Sequence, residues 1–154
     1  MYIADLCYKK SASQIFQQTK NYLISKVITS LVTSTIKNET GITRPDGTEH
    51  SFPSGHTSFA FTGATSLYLE YKDENNLLAY SGFAFATATG FLRITNNRHW
   101  VSDVITGAGV GMLTTTIVWY INPFKNWDPF KKRKITVYPS FSGFDNSVGF
   151  CFMF

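Results

Sequence analysis

The segment PSGHTSFAFTGATSLYLEY, residues 53–71, gives the clearest indication of the fold. A Pro and a Gly stand at its start, and residues 56–71 are then apolar, rich in Ala, Phe and Thr, and free of Pro. Turn-forming residues followed by a Pro-free apolar run are typical of a loop that leads into a helix. We therefore predict a helix over residues 56–71, with Ser54 and Gly55 at its N-terminal junction.

Apolar runs on both sides of this segment predict further helices. Residues 13–37 carry apolar side chains at intervals of three and four, which indicates a helix packed on one face. Residues 38–53 contain two Gly and two Pro among polar residues and are predicted to form a loop. Residues 77–93, which follow the polar turn 72–76, are dense in Ala and Phe and predict a third helix.

A fourth helix is predicted to begin near Asn96 or Asn97, since either residue can act as an N-cap, and to end before Pro123. Residues 104–124 contain no charged side chain, and 21 residues at about 1.5 Å each could cross a bilayer. Three glycines and four threonines lower the hydropathy of this run, so a buried bundle helix is an equal interpretation.

The C-terminal part changes its periodicity. Residues 148–154 alternate apolar side chains with a period of two, and residues 135–141 could pair with them across a turn at 142–147. We therefore predict a short hairpin or extended tail over residues 135–154. The basic run KKRK, residues 131–134, is either a solvated turn or an anchor on the cytoplasmic side of a membrane.

Size and composition predict one domain over residues 1–154, with a helical core at about 13–122. Hydrophobic residues make up 44% of the chain and charged residues 16%, which suits an apolar bundle or one lying partly in lipid. The net charge of +4 favours anionic partners. Cys7 and Cys151 have no metal-like spacing, and no secretory signal is visible at the start.

Two polar clusters surround the predicted loop. Lys37 and Arg44 flank its first part, and Ser54, Gly55 and His56 stand at its end. At that end, Gly lets the backbone approach a ligand, the first N–H groups of the helix attract an anion, and the Ser hydroxyl can donate. The histidine could give or take a proton. Surface charges and an ordinary Ser-led helix cap would account for the same residues.

A third cluster joins Arg93, His99 and Asp103. His99 and Asp103 are four residues apart, which on a helix would place them on one face. A carboxylate there can accept a hydrogen bond from imidazole Nδ1–H, fix the tautomer and leave Nε2 free to attack or to receive a proton. A surface His–Asp pair is the ordinary alternative.

Taken together, the clusters supply three cations, a helix N-terminus and two histidines, which suits phosphoryl transfer. The sequence has no carboxylate cluster suited to Mg²⁺ and no Cys/His set suited to Zn²⁺, so we expect no metal and no other cofactor. The cations would then have to neutralise the charge of the transition state. Nucleic acid is not an expected partner, because no recognition motif or basic helix face accompanies the charge.

In order, the clusters resemble the three signature motifs of the type 2 phosphatidic acid phosphatase family, whose superfamily includes class A acid phosphatases and vanadium-dependent haloperoxidases. They read Lys37-x6-Arg44-Pro45, Pro53-Ser54-Gly55-His56 and Arg93-x5-His99-x3-Asp103. The resemblance covers roughly residues 30–115. Leu92 precedes Arg93 where the family usually has Ser, and one helix precedes Lys37 where membrane members usually have more.

This resemblance implies an all-α helical bundle with a metal-independent site at one end. His99 would be the nucleophile that forms a phosphohistidine, Asp103 would orient it, and His56 would be the general acid. The phosphate would be bound by Lys37, Arg44 and Arg93 with help from Ser54 and the Gly55 N–H.

The resemblance predicts a phosphatase that hydrolyses phosphate monoesters or diphosphates, with lipids as the expected substrates. Its alternatives are a soluble periplasmic acid phosphatase of broad specificity, acting on small phosphate esters, and a non-catalytic membrane protein that keeps a relic site. Halide oxidation with vanadate is a third, for which no halide site is visible.

We expect the chain to be membrane-associated, with the active site facing the periplasm or the outside. The site precedes the fourth helix and the KKRK segment follows it, so a spanning helix would place them on opposite sides. A second copy of the chain could complete the bundle, which makes a homo-oligomer one expectation.

Overall fold

The computed structural model describes residues 10–122, 124, 127 and 129, and the later segments 136–141 and 148–153. These residues contain four helices, α1 (Ala12–Thr40), α2 (Gly55–Tyr71), α3 (Asn76–Thr95) and α4 (Val101–Ile121), and three short strands, β1 (Lys10–Ser11), β2 (Thr136–Phe141) and β3 (Val148–Met153). The predicted all-α fold is confirmed.

The start of α4 differs from the prediction. Asn96 is the C-cap of α3, Asn97 has a left-handed φ of 54°, and α4 begins only at Val101 after the N-cap Trp100. The prediction was wrong because Asn suits a helix N-cap and a left-handed turn residue equally well. His99 therefore lies in the turn between α3 and α4 and not on a helix.

The helices pack through small and hydroxyl-bearing side chains. Thr29 Oγ1 in α1 lies 3.0 Å from Thr62 Oγ1 in α2 and 2.6 Å from Thr114 Oγ1 in α4, so three hydroxyls join three helices. Thr62 also donates to the carbonyl of Ser58 at 2.9 Å. Interfaces of small residues and hydroxyls are typical of helices that associate in lipid, where large apolar side chains gain nothing by facing another helix.

Two glycines bring α4 into backbone contact with α2. A Cβ at Gly107 would lie 2.6 Å from the carbonyl oxygen of Ser54, and one at Gly111 would lie 2.3 Å from that of Ser58. Because the two are four residues apart, they share one face of α4. This close approach places the first turn of α2 directly against α4.

Large apolar side chains lie mainly on the outside of the bundle. Phe85 on α3 is 76% exposed, and Ile105 and Leu113 on α4 are 67% and 65% exposed. Within the described residues, α3 and α4 are also the two helices long and apolar enough to cross a membrane. Small polar residues inside and large apolar residues outside are the reverse of a water-soluble bundle.

The chain divides into two compact units, of which Asn21–Pro123 is one. The other contains the described residues up to Lys20 and from Phe124 on, where β2 pairs antiparallel with both β1 and β3. The segments predicted as strands contain β2 and β3, whereas the turn 142–147 and the KKRK run 131–134 lie outside the described residues. One domain over residues 1–154 stays a prediction.

Candidate active site

A cavity of about 320 Å³ lies where the C-terminal end of α1, the N-terminus of α2, the end of α3 and the α3–α4 turn meet. Its lining includes six of the residues predicted from the sequence, together with Phe59, which was not predicted. The lining residues are Lys37, Arg44, Gly55, His56, Phe59, Arg93 and His99. Three segments that are distant in sequence thus place their cations and histidines around one space.

Lys37, in the last turn of α1, is held in place by the end of the loop that follows. Its Nζ donates to the backbone oxygen of His50 at 2.8 Å, and His50 Nδ1 lies 3.2 Å from the backbone oxygen of Lys37. His50 has a left-handed φ of 59°. His50 was not predicted to have a role, but in the structure its backbone oxygen positions the ammonium group of Lys37.

The loop that carries Arg44 is fixed from two sides. Asp46 accepts from the backbone N–H of Thr48 at 3.0 Å, which closes a local turn. Asp46 also forms a 3.0 Å ion pair with Arg98, and Trp100 Nε1 donates to the backbone oxygen of Thr43 at 2.9 Å. We call these two long-range contacts the loop clasp, since they join the Arg44 loop to the residues that flank His99.

Ser54 and Gly55 begin α2, as predicted. The backbone N–H of Ser54 donates to the backbone oxygen of Asp103 at 3.0 Å, and its hydroxyl accepts from Thr57 Oγ1 at 3.0 Å. Ser54 is fully buried and does not line the cavity, whereas Gly55 and His56 of the same motif do. The first N–H groups of a helix have no intrahelical acceptor and are suited to bind an anion.

His99 and Asp103 lie together although they do not share a helix. His99 Nδ1 is 3.5 Å from Asp103 Oδ2, and both side chains are almost fully buried. Asp103 is the third residue of α4, and its carboxylate accepts the N–H of Trp100 at 2.9 Å. Ser51 also donates to this carboxylate, and its Oγ is 3.5 Å from His99 Nδ1. The predicted pair is therefore a group of three, because Ser51 joins it.

The cavity is positively charged, and two of its guanidinium groups have unsatisfied donors. The Nε atoms of Arg44 and Arg93 are buried without a hydrogen-bond partner in the part of the chain that the structure describes. Buried donors of this kind suit the oxygen atoms of a phosphate, which accept charge-assisted hydrogen bonds.

Burial and charge lower the pKa values of several groups in the cavity. For His56 and His99 the largest cause of the lowered pKa is burial, and the three cations act in the same direction. The pKa of Lys37 is lowered first by burial and then by Arg44. A neutral imidazole keeps a lone pair on the ring nitrogen that carries no proton, and a nitrogen nucleophile requires such a lone pair.

No group of three or more His, Cys, Asp or Glu suited to a metal ion occurs among the described residues. Lys37, Arg44 and Arg93 supply the positively charged side chains that line the cavity.

Residues 16–127 match the family model of the PAP2 superfamily. This match spans most of the chain and includes every residue of the cavity lining. The chain therefore belongs to the PAP2 superfamily, as its three motifs indicated.

Particular relatives are phosphatases of lipids. The chain is 46% identical over 90 residues to lipid A 1-phosphatase of Porphyromonas gingivalis, covering 58% of this chain and 20% of that protein. It is 29% identical over 153 residues to lipid phosphate phosphatase 1 of Arabidopsis thaliana, covering 70% of this chain and 47% of that protein. The crystal structure of Aquifex aeolicus LpxE superposes with a TM-score of 0.63 and 25% identity, covering 67% of each chain.

Proposed function

We propose that this chain hydrolyses phosphate monoesters or diphosphates of lipids through a phosphohistidine at His99. The observation that carries the proposal is the cavity, where three cations and two histidines converge and one histidine has a buried carboxylate beside it. This set can bind a phosphate, attack it and protonate what leaves.

In the first step, the Nε2 lone pair of His99 attacks phosphorus and forms the P–N bond. The P–O bond to the leaving alcohol or phosphate breaks, and His56 gives its proton to the departing oxygen. Lys37, Arg44 and Arg93 neutralise the charge on the remaining phosphate oxygens. In the second step, His56 takes a proton from water, the water oxygen bonds to phosphorus, and the P–N bond breaks.

The proposal of a lipid substrate is supported by the outer surface of the helices and by the relatives. Large apolar side chains face outward on α3 and α4, and both helices are long enough to cross a bilayer. Phe59, one turn beyond His56, brings an apolar ring into the wall of the cavity. The two curated relatives are phosphatases of lipid A and of lipid phosphates. A phosphorylated lipid lying in the membrane could reach a cavity built in this way.

Phosphate release by purified protein in detergent tests the proposal. We expect wild type to hydrolyse at least one of phosphatidic acid, a polyprenyl diphosphate and lipid A, and His99→Ala to lose at least about 10³-fold of that rate, as removal of a nucleophile does. Unfolding temperatures of both proteins check that the variant is folded. Equal rates in the two would contradict the assignment of His99.

Two further measurements distinguish the alternatives. A soluble acid phosphatase of broad specificity would cleave a small aryl phosphate without detergent and prefer it to lipids. A relic site would bind orthovanadate, which resembles the transition state, and release no phosphate from any substrate. We expect orthovanadate to inhibit wild type and to bind His99→Ala more weakly.

A further inference from the structure

Ser51 lies in the loop between α1 and α2, outside the cavity lining. Its side chain is fully buried, and its backbone N–H donates to the backbone oxygen of Ile42 at 2.6 Å, which ties the two sides of the loop together. A serine fixed in this way has little freedom to move its hydroxyl group.

The Ser51 hydroxyl lies next to both members of the His–Asp pair. It donates to Asp103 Oδ2, and its oxygen lies 3.5 Å from His99 Nδ1. An ionised carboxylate has no proton to give, so the hydroxyl proton must point at Asp103. The lone pairs of Ser51 Oγ are then available to His99, and they can accept a proton only from an Nδ1–H.

The two carboxylate oxygens of Asp103 differ in their hydrogen-bond partners. Oδ2 also accepts the N–H of Trp100 at 2.9 Å, which fixes the carboxylate, whereas Oδ1 is buried without a partner among the described residues. His99 Nδ1 is 3.5 Å from Oδ2, too long for a strong direct bond. Two weak contacts, one to the hydroxyl and one to the carboxylate, therefore replace a single short His–Asp bond.

We propose that Ser51 is a positioning residue that holds His99 in the tautomer with its proton on Nδ1, through the chain Nδ1–H···Oγ–H···Oδ2. Nε2 then keeps its lone pair toward the cavity. When Nε2 bonds to phosphorus the ring becomes cationic, and the same chain connects its Nδ1–H to the negative charge of Asp103. No proton has to be transferred between His99, Ser51 and Asp103. The catalytic benefit rests on the proposed function, but the tautomer does not.

Nitrogen NMR of histidine side chains in the detergent-solubilised protein measures the tautomer directly. The chain contains three histidines, so His50→Gln and His56→Gln are sufficient to assign His99. We expect wild-type His99 to carry its proton on Nδ1, and Ser51→Ala to show a mixture of both tautomers. A wild-type His99 protonated on Nε2 would overturn the proposal without any variant.

Two variants separate positioning from simple loss of structure. Ser51→Thr retains the hydroxyl and should restore the Nδ1–H tautomer. Ser25→Ala removes an equally buried hydroxyl, which donates to the Asn21 carbonyl at 2.8 Å in the middle of α1, and should leave the tautomer unchanged. A shift of similar size in Ser25→Ala would indicate a general packing effect and count against the proposal.

Kinetics provide the second readout. We expect Ser51→Ala to lower kcat by on the order of 10- to 100-fold, the effect of one hydrogen bond to a charged group, with little change in KM because Ser51 does not reach the cavity. An unchanged kcat with an unchanged tautomer would refute the role of Ser51. If wild type releases no phosphate, the proposed function fails, and the tautomer still decides this inference.

Discussion

At the scale of single residues, the site places three cations close to two histidines that can themselves become cationic. Burial first, and then the three cations around them, lower the pKa values of both imidazoles. The positive charge that suits a phosphate therefore disfavours protonation of both histidines in the unliganded protein. This effect should make the free energy of unfolding depend on pH.

Acidification should destabilise the folded protein through His56 and His99. Because the folded-state pKa values are below the ordinary value of about 6.5, the unfolded chain binds more protons between the two values. The free energy of unfolding should then fall as the pH drops below about 6.5. Unfolding temperatures measured from pH 7.5 to pH 5 would reveal the slope.

The matching variant is His99→Gln, which cannot titrate in this range. Its unfolding temperature should depend less steeply on pH than that of wild type. An identical slope would mean that His99 does not contribute to the effect.

At the scale of secondary-structure elements, the loop between α1 and α2 is attached to the α3–α4 turn by the loop clasp. The ion pair between Asp46 and Arg98 is exposed on the arginine side, so it should add little to overall stability. We expect its main effect to be on the position of Arg44.

Arg98→Ala should raise KM several-fold, by about 2- to 10-fold, and leave kcat within a factor of about two, since a displaced Arg44 weakens phosphate binding without altering the nucleophile. Steady-state kinetics on a phosphorylated lipid measure both constants. Glu49→Gln, which removes an exposed charge from the Arg44 loop and leaves the loop clasp intact, is the control and should behave as wild type. A fall in kcat alone would contradict the clasp.

The contact between α2 and α4 predicts a contrast between two glycines. Gly107→Ala places a methyl group against the Ser54 carbonyl and should lower the free energy of unfolding by about 1–3 kcal/mol. Gly109→Ala meets nothing within 4 Å and should be neutral or stabilising, because Ala favours a helix. Thermal unfolding in detergent compares them, and equal losses would exclude the close approach as the cause.

Apolar runs and their Gly and Pro boundaries predicted the helices well, because hydrophobic burial and chain breaking are local signals. They failed where a residue has two local uses, as at Asn97, so that α4 begins at Val101 and not near Asn96 or Asn97. The spacing of the motif residues is a local property, and it predicted six of the seven residues that line the cavity. Ser51 was missed because its partners lie 48 and 52 positions further along the chain, and no local pattern reports such contacts.

At the scale of the whole molecule, large apolar side chains face outward on α3 and α4, the two helices among the described residues that are long and apolar enough to cross a membrane. α2 leads away from the cavity and α3 leads back, so the turn around Asp73 and the site lie at opposite ends of these helices. If α3 and α4 span the membrane, these two ends are exposed to different compartments.

Thiol labelling tests this orientation. In a Cys7→Ser, Cys151→Ser background, Ser102→Cys should react with a membrane-impermeant maleimide on intact cells, since it is exposed near the site. Asp73→Cys, exposed at the other end, should react only after the cells are lysed. The opposite pattern would place the site in the cytoplasm, and equal labelling of both on intact cells would contradict spanning helices.

The single backbone bond from Ser54 N–H to the Asp103 carbonyl has a wider consequence. It ties the segment of His56, the proposed proton donor, to the segment that follows His99, the proposed nucleophile, so a displacement of one segment is passed on to the other. On the proposed function, a change of substrate then has to depend on side chains outside these two segments. A fold built in this way can change its substrate range during evolution while these two segments keep their relative position.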